Sequence, residues 1–215
     1  MIPRHPAIRS FIIGGLIVAA LAAPISPARA GSIEELSVRR VSDRYWIELH
    51  AHLDARAAAA YAVFANLANL PAINTDVRRV EVTGKTADDA VQVYTEIRAC
   101  VLWWYCRSIR ETQKMTFTRT SDGGDVAATV LAGGDLRDGQ VRWVFRNAAG
   151  ETDLRVTAEL EPAFRVPPLI GPWLVKRWLR IETAQSSANI EKLARRSMTG
   201  AFSSMRARTG CRQDP

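Results

Sequence analysis

One stretch of the sequence limits the fold before any other feature is considered. Residues 90–118 contain no glycine or proline, and they are rich in the residue types of β-strands. At about 3.3 Å per residue, a single strand of this length would extend roughly 100 Å, several times the usual length. The stretch must therefore fold back on itself. Two strands of matched length result if the loop lies at residues 101–105.

Two cysteines flank that loop, Cys100 and Cys106. Directly opposed residues of antiparallel strands have Cα atoms about 4.5–5.5 Å apart, which a disulfide can bridge. We predict this disulfide in an oxidising compartment, with two reduced thiols as the alternative. A zinc site is disfavoured because no second cysteine or histidine pair accompanies them, and we expect neither a metal nor a cofactor. Cys211 is expected to stay unpaired or to form an intermolecular bridge.

Residues 1–30 have the three regions of a cleavable export signal. Arg4 and Arg9 precede an uncharged, largely apolar stretch at residues 11–25, and a small-x-small pattern ends at Ala30. An uncleaved membrane anchor is the alternative, but the apolar stretch is shorter than the roughly 20 residues that cross a bilayer. We expect cleavage after Ala30 and a periplasmic or secreted protein.

Charge argues against a nucleic-acid partner. The chain has 29 Lys and Arg against 22 Asp and Glu, and three of the basic residues lie in the export signal. Much of the remaining excess is confined to the last part of the chain, and we find no basic stripe with interleaved aromatic residues. We expect one globular domain over residues 31–196 and a flexible basic tail over residues 197–215.

The hydrophobic pattern predicts an α+β architecture. Apolar and polar residues alternate over residues 45–53, and two short helices follow before Pro71. A long helix is predicted to end near Arg196, and only this helix is long enough to cover the concave face of a curved sheet. A ligand cavity is expected between the two. The six further strands are predicted at residues 77–82, 90–100, 106–118, 126–131, 140–147 and 152–161.

Three motifs accompany this order of elements: Val63-Phe-Ala-Asn-Leu-Ala-Asn-Leu-Pro71, Cys100-Val-Leu-Trp-Trp-Tyr-Cys-Arg107, and Arg165-Val-Pro-Pro-Leu-Ile-Gly-Pro-Trp173 with Asn189-Ile-Glu191 further on. Together they resemble the START/SRPBCC superfamily of birch-pollen allergens, polyketide cyclases and lipid-transfer domains, and the second motif resembles an exported bacterial branch. The resemblance covers roughly residues 36–195. It implies a helix-grip fold, in which a curved antiparallel sheet wraps around a long C-terminal helix, with two short helices after the first strand. It also implies an apolar ligand, but no shared catalytic signature.

Candidate ligand contacts lie on the strand after the hairpin. Arg107, Glu111 and Gln113 share the parity of that strand's apolar face, so we predict that they point into the cavity. There they would orient the polar end of an amphipathic ligand or act as an acid/base pair. An internal Arg–Glu pair, or a bulge that turns these groups outward, is the alternative. The predicted apolar contacts, which could equally be plain core, are Trp143, Phe145, Trp178 and Ile181.

No catalytic motif accompanies these residues: the sequence has no G-x-S-x-G, no glycine-rich phosphate loop and no metal-ligand cluster. His50 and His52 are assigned to the polar surface of their strand. We therefore expect an exported binding or carrier protein for a hydrophobic small molecule or lipid. A cyclase or aromatase acting in the same cavity is the alternative, and a partner-binding domain is a third.

The predicted hairpin loop is unusual because it carries Trp103 and Trp104 where such loops normally carry Gly, Asn or Asp. Exposure of these rings to water is unfavourable, so another surface should cover them. Residues 167–173 of the same chain are one candidate. A transient contact with a membrane surface is the other, because Trp favours the headgroup zone of a bilayer.

Overall fold

The computed structural model describes residues 31–102, 105–166 and 169–209. The predicted export signal, Cys211 and the pair Trp103 and Trp104 lie outside the described residues. Eight strands and three α-helices make up the described chain. The strands are β1 (Ser32–Val41), β2 (Arg44–Leu53), β3 (Val77–Lys85), β4 (Val91–Leu102), β5 (Tyr105–Thr120), β6 (Gly123–Leu131), β7 (Leu136–Ala148) and β8 (Glu151–Pro162).

All eight strands join one antiparallel sheet in the order β1-β2-β8-β7-β6-β5-β4-β3. Two short helices connect β2 to β3: α1 (Ala57–Ala65) and α2 (Leu70–Ile73), with a 3-10 turn between them. The last element is the long helix α3 (Gly171–Thr209). The order of elements, the curved sheet and the long C-terminal helix confirm the predicted helix-grip architecture. Among the described residues, no helix is long and apolar enough to cross a membrane.

Strict alternation in β2 places one face of the sheet against the core. Tyr45, Ile47, Leu49, Ala51 and Leu53 are all buried, whereas Trp46 and Glu48 between them are exposed. The core continues through residues of β4, β6 and β7, and α1 and the C-terminal half of α3 close it from the other side. Its fully buried members include Leu53, Ala60, Ile73, Val93, Val126, Phe145 and Ala194.

The hairpin inferred from the uninterrupted run is confirmed. β4 and β5 pair so that Ile97 lies opposite Ile109 and Cys100 lies opposite Cys106. The two cysteines form the predicted disulfide at the neck of the loop.

The structure corrects the strand count, because β1 was not predicted. Its segment carries the charged pairs Glu34-Glu35 and Arg39-Arg40, which interrupt the alternation of apolar and polar residues that indicates a strand. β1 is an edge strand that pairs with β2 alone, so its charged side chains can remain in solvent. The two short helices accordingly follow the second strand and not the first. In addition, α3 continues to Thr209, through part of the segment expected to be a flexible tail.

Candidate functional site

A cavity of about 300 Å³ lies between the concave face of the sheet and α3. Volumes of this order hold small ligands in other proteins. β2, β4, β5, β7 and β8 contribute apolar walls, and α3 closes the opposite side. The apolar lining includes Ile47, Leu49, Ile97, Val141, Trp143, Leu154, Val156 and Leu160.

The sheet contributes a small polar group to this cavity. Glu111 and Gln113 on β5 are each 9% exposed, and Thr95 on β4 lies directly opposite Glu111. The Thr95 hydroxyl donates a hydrogen bond to Glu111 Oε1 at 3.3 Å. The other oxygen, Glu111 Oε2, is buried and has no hydrogen-bond partner among the described residues. Burial raises the pKa of the Glu111 carboxyl, and the Thr95 hydrogen bond only partly opposes this effect.

The helix contributes a second carboxyl, Glu182. It is buried, and Ser186 Oγ, one turn further along α3, donates to its Oε1 at 3.1 Å. Burial raises the pKa of Glu182 to about 7, and the nearby carboxylate of Asp76 adds to the rise. Asp76 in turn accepts a hydrogen bond from Trp178 Nε1 at 3.0 Å, which connects α3 to the start of β3.

The charge of the cavity lining has one sign. Glu111 and Glu182 line the cavity, but none of its lining residues within the described chain is lysine or arginine. An anionic ligand group placed here would lose its hydration without meeting an opposite charge. The lining therefore suits a neutral ligand whose polar end forms hydrogen bonds.

A second, smaller apolar cavity of about 180 Å³ adjoins the first, because both are lined by Ile47, Leu136, Leu160, Trp178 and Leu179. It extends toward the base of the disulfide hairpin and the segment that precedes α3. Arg107 lies there, with its guanidinium carbon 3.7 Å from the centre of the Phe164 ring. The Arg107 side chain is 44% exposed, so this end of the cavity system reaches the protein surface.

Four of the predicted ligand contacts line the main cavity: Glu111, Gln113, Trp143 and Trp178. Arg107 has the predicted parity on β5, but it lines only the smaller cavity near the surface. It does not pair with Glu111; its charged partner is Asp135, at 3.7 Å. The structure thus places the predicted guanidinium at one end of the cavity system and the predicted carboxyl and amide deeper inside.

The structure corrects the position of two predicted apolar contacts. Phe145 does not line either cavity; it is fully buried in the core, where the rings of Tyr61 and Phe64 pack against it. Ile181 is 45% exposed on the outer side of α3. It precedes Glu182 by one residue, and the rotation of about 100° between them turns the Ile181 side chain away from the cavity that Glu182 lines.

Sequence reasoning missed Glu182, Thr95 and Asp76. Glu182 follows Trp178 by four residues and therefore shares its side of α3. A charged residue at that spacing from a tryptophan predicted to face the sheet is the signal that could have identified it. Thr95 and Asp76 gave no comparable signal, because threonine is common in strands and aspartate is common in turns.

The raised pKa of Glu182 makes the stability of the protein depend on pH. An unfolded glutamate titrates near about pH 4.3, so between that value and about pH 7 the folded state binds more protons than the unfolded state. The contribution of Glu182 to the free energy of unfolding is therefore largest below about pH 4.3 and falls as the pH rises toward about 7. We expect Glu182→Gln to lack this fall. Between about pH 5 and about pH 8, the free energy of unfolding of the variant should therefore rise by up to about 3 kcal/mol relative to that of the unsubstituted protein.

Urea unfolding at both pH values measures the difference, and Glu48→Gln on the exposed face of β2 is the matched control. Parallel pH profiles for the unsubstituted protein and Glu182→Gln would contradict the assignment.

Three solved structures share the fold at low sequence identity. The Zhui aromatase/cyclase from Streptomyces sp. R1128 is 13% identical, with a TM-score of 0.57 over 72% of this chain and 96% of its own. A START superfamily protein from Mycobacterium smegmatis is also 13% identical, with a TM-score of 0.57 over 69% and 98%. Human STARD10 is 10% identical, with a TM-score of 0.52 over 77% and 73%. No curated protein sequence gives a significant match.

A family model identifies the chain independently of its structure. The model described as polyketide cyclase / dehydrase and lipid transport matches residues 53–182, more than half of the chain. The matched segment begins at the end of β2 and reaches the first turns of α3, so it includes most of the cavity walls. The chain therefore belongs to the polyketide cyclase/dehydrase and lipid transport family and has its START-like, helix-grip fold.

Proposed function

We propose that the protein is an exported binding or carrier protein for a hydrophobic, lipid-like ligand held between the sheet and α3. The observation that carries the proposal is Glu111 Oε2, a buried oxygen without a hydrogen-bond partner at the wall of a largely apolar cavity. A buried polar group left unpaired costs about 1–3 kcal/mol. A ligand with a hydrogen-bonding group at this point would offset that cost while burying its apolar part against the surrounding walls.

The charge of the cavity narrows the class of ligand. Two carboxyls with raised pKa values and no lining lysine or arginine disfavour a carboxylate or phosphate deep in the cavity. A hydroxyl group donates to an ionised carboxyl and accepts from a protonated one, so it suits Glu111 in either state. The ligand we propose is accordingly a long, neutral, apolar molecule with a hydroxyl at one end.

A matched pair of ligands tests this specificity. We expect a long-chain alcohol to bind at least about tenfold more tightly than the fatty acid of equal length at about pH 8, because only the acid is charged there. Displacement of an apolar fluorescent probe measures both affinities. Glu111→Leu should weaken alcohol binding about five- to tenfold through loss of one hydrogen bond.

Glu96→Gln is the control on the same hairpin, because Glu96 pairs with Arg110 and lines neither cavity. Equal binding of the acid and the alcohol, together with an unchanged affinity in Glu111→Leu, would refute the proposed ligand class.

A cyclase- or aromatase-type enzyme is the second candidate. Glu111 and Glu182 support it, because carboxyls with raised pKa values are suited to proton transfer near neutral pH. Mass spectrometry of the ligand recovered from the protein separates the two candidates. A carrier releases its ligand chemically unchanged, whereas a cyclase releases a product of altered mass.

Contacts of Gly31 support the proposed export. Its backbone nitrogen donates a hydrogen bond to Glu191 Oε1 at 2.8 Å, and Glu191 is only 3% exposed. Cleavage after Ala30 would turn this nitrogen into a charged α-amino group, and hydrogen bonds between charged groups are stronger than neutral ones. The Cys100–Cys106 disulfide is also consistent with an oxidising compartment.

Expression of the full chain in a bacterial host tests export. We expect a periplasmic product that begins at Gly31, because signal peptidase reads the small residues before it. Cys100 and Cys106 should resist alkylation until a reductant is added, because a disulfide has no free thiol. N-terminal sequencing and peptide mapping report the two results. An intact chain in the inner membrane, or two thiols that alkylate without reductant, would argue against export.

We further propose that the surface end of the cavity system contacts a membrane. Leu169, Ile170 and Trp173 are exposed large apolar residues at the start of α3, and Leu174 beside them lines the smaller cavity. Lys176, Arg177 and Arg180 follow on the same helix. Exposed apolar side chains next to basic ones are typical of surfaces that bind anionic lipid.

Flotation with vesicles that contain anionic lipid tests the contact. We expect the double variant Leu169→Ser/Trp173→Ser to lose vesicle binding while it keeps its melting temperature, because both side chains are already exposed. Val41→Ser/Val82→Ser is the matched control, since these residues are similarly exposed elsewhere on the sheet. If the control loses as much binding as the double variant, the contact is nonspecific and the proposal is wrong.

A further inference from the structure

Four polar side chains meet on the outer face of the sheet, away from the cavity. They come from three adjacent strands: Glu34 from β1, His50 and His52 from β2, and Asp153 from β8. Glu34 Oε2 lies 3.0 Å from His50 Nδ1, and Glu34 Oε1 lies 2.9 Å from His52 Nε2. The other ring nitrogen of His50, Nε2, lies 2.5 Å from Asp153 Oδ1.

An irregularity in β1 brings Glu34 to this cluster. The pairing of β1 with β2 shifts between Ile33 and Glu35, so that Glu34 is an extra residue opposite no single partner. A bulge of this kind turns a side chain toward a direction that regular pairing does not allow, and bulges are common beside functional sites. Here it directs the carboxylate of Glu34 between the two imidazole rings, whose centroids are 5.4 Å apart.

The hydrogen bonds of a neutral His50 leave one ring nitrogen, Nδ1, without a proton to share with Glu34. A neutral imidazole carries one N–H, and the short contact of Nε2 with Asp153 accounts for it. The Nδ1 lone pair then faces a carboxylate oxygen of Glu34 at 3.0 Å, and two acceptors at that distance repel each other. A proton on Nδ1 or a metal ion between the two atoms would turn this repulsion into attraction.

We propose that Glu34, His50 and His52 bind a divalent transition-metal ion of the zinc class. Imidazole nitrogen and carboxylate oxygen are established zinc ligands, and two histidines with one glutamate form a known three-residue set that leaves a fourth position open. Ligand atoms around tetrahedral zinc are about 3.3 Å apart, given bonds of about 2.0–2.1 Å. The three candidate atoms all lie within 4.8 Å of one another, so small side-chain movements produce that geometry.

Asp153 has a positioning role in this site. Metal-binding histidines commonly donate their second ring N–H to a carboxylate, which fixes the tautomer and the ring orientation. His50 and Asp153 have this arrangement, and Arg155 Nε lies 3.3 Å from the second oxygen of Asp153. The proposal departs from the expectation from sequence, which assigned His50 and His52 to the polar surface and predicted no metal.

Titration calorimetry with zinc chloride on the purified protein tests the site. We expect one ion to bind per chain, the melting temperature to rise with zinc, and a chelator to reverse the rise. His50→Asn, His52→Asn and Glu34→Gln should each weaken zinc binding at least about tenfold, and Asp153→Asn should weaken it about tenfold through loss of the oriented ring. Glu48→Gln on the same outer face of β2 is the control, and it should bind zinc normally.

Circular dichroism of each variant without zinc confirms that the variant is folded. The zinc-dependent rise in melting temperature is measured on the unsubstituted protein, so that test does not depend on the folding of any variant. If the unsubstituted protein neither binds zinc nor gains a higher melting temperature, the proposal is wrong. Zinc binding that is unchanged in His50→Asn and His52→Asn would also overturn it. An equal loss of zinc binding in Glu48→Gln would show that the losses are not specific to the three proposed ligands.

Discussion

The distance between α3 and the sheet depends on directional hydrogen bonds at both ends of the cavity. Toward the C-terminal side, Glu191 Oε1 accepts from the backbone N–H groups of Gly31 and Asp54, at 2.8 and 2.9 Å. On the other side, Trp178 Nε1 donates to Asp76 at 3.0 Å. Apolar packing alone would draw the helix onto the sheet until the space closed. Bonds of defined length and angle resist that movement, because a shift of the helix would leave buried polar groups unpaired.

The packing of α3 is consequently uneven along its length. Ile190 and Ala194 are buried in the core beneath α1, where the helix and the sheet are in close contact. Between Leu179 and Ile190 the cavity-lining side chains of α3 are all polar, namely Glu182, Thr183, Ser186 and Ser187. A more apolar stripe would pack more tightly and stabilise the fold further. The polar side chains instead keep a space in which a ligand can replace the missing contacts, so stability is lower where the ligand is proposed to bind.

The two cavity carboxyls combine an energetic cost with selectivity. A buried charge is expensive, and the raised pKa values of Glu111 and Glu182 show that burial favours their neutral forms. Neutral acids can donate as well as accept hydrogen bonds, which widens the range of hydroxyl and carbonyl groups they can bind. An anionic group would lose its hydration on entering the cavity and would be repelled by either carboxyl in its ionised form. The same desolvation that lowers stability at higher pH therefore discriminates between ligand classes.

Sequence reasoning succeeded where one physical limit left a single solution. A strand that spans residues 90–118 would be too long, and that limit predicted the hairpin with Cys100 opposite Cys106. The disulfide was predicted from this pairing together with the expected oxidising compartment. The prediction failed where the core and the cavity wall require the same pattern of inward-facing apolar residues. Alternation places both Trp143 and Phe145 on the inner face of β7, and Phe64 of α1 contacts both rings. Only Phe145 is also covered by Tyr61, and it belongs to the core, whereas Trp143 lines the cavity. On α3 the search for apolar residues selected Ile181 and overlooked Glu182.

The missed strand β1 shows how one irregularity affects both faces of the sheet. Ile33, Leu36 and Val38 all pack inward, yet Ile33 and Leu36 are three residues apart and would lie on opposite faces of a regular strand. The extra residue at Glu34 resolves this conflict, because it restores the inward direction for both apolar neighbours. It also removed the period-of-two signal by which sequence analysis finds strands. Burial of Ile33 and Leu36 thus requires the bulge, and the bulge in turn places a carboxylate against His50 and His52 at the exposed edge of the sheet.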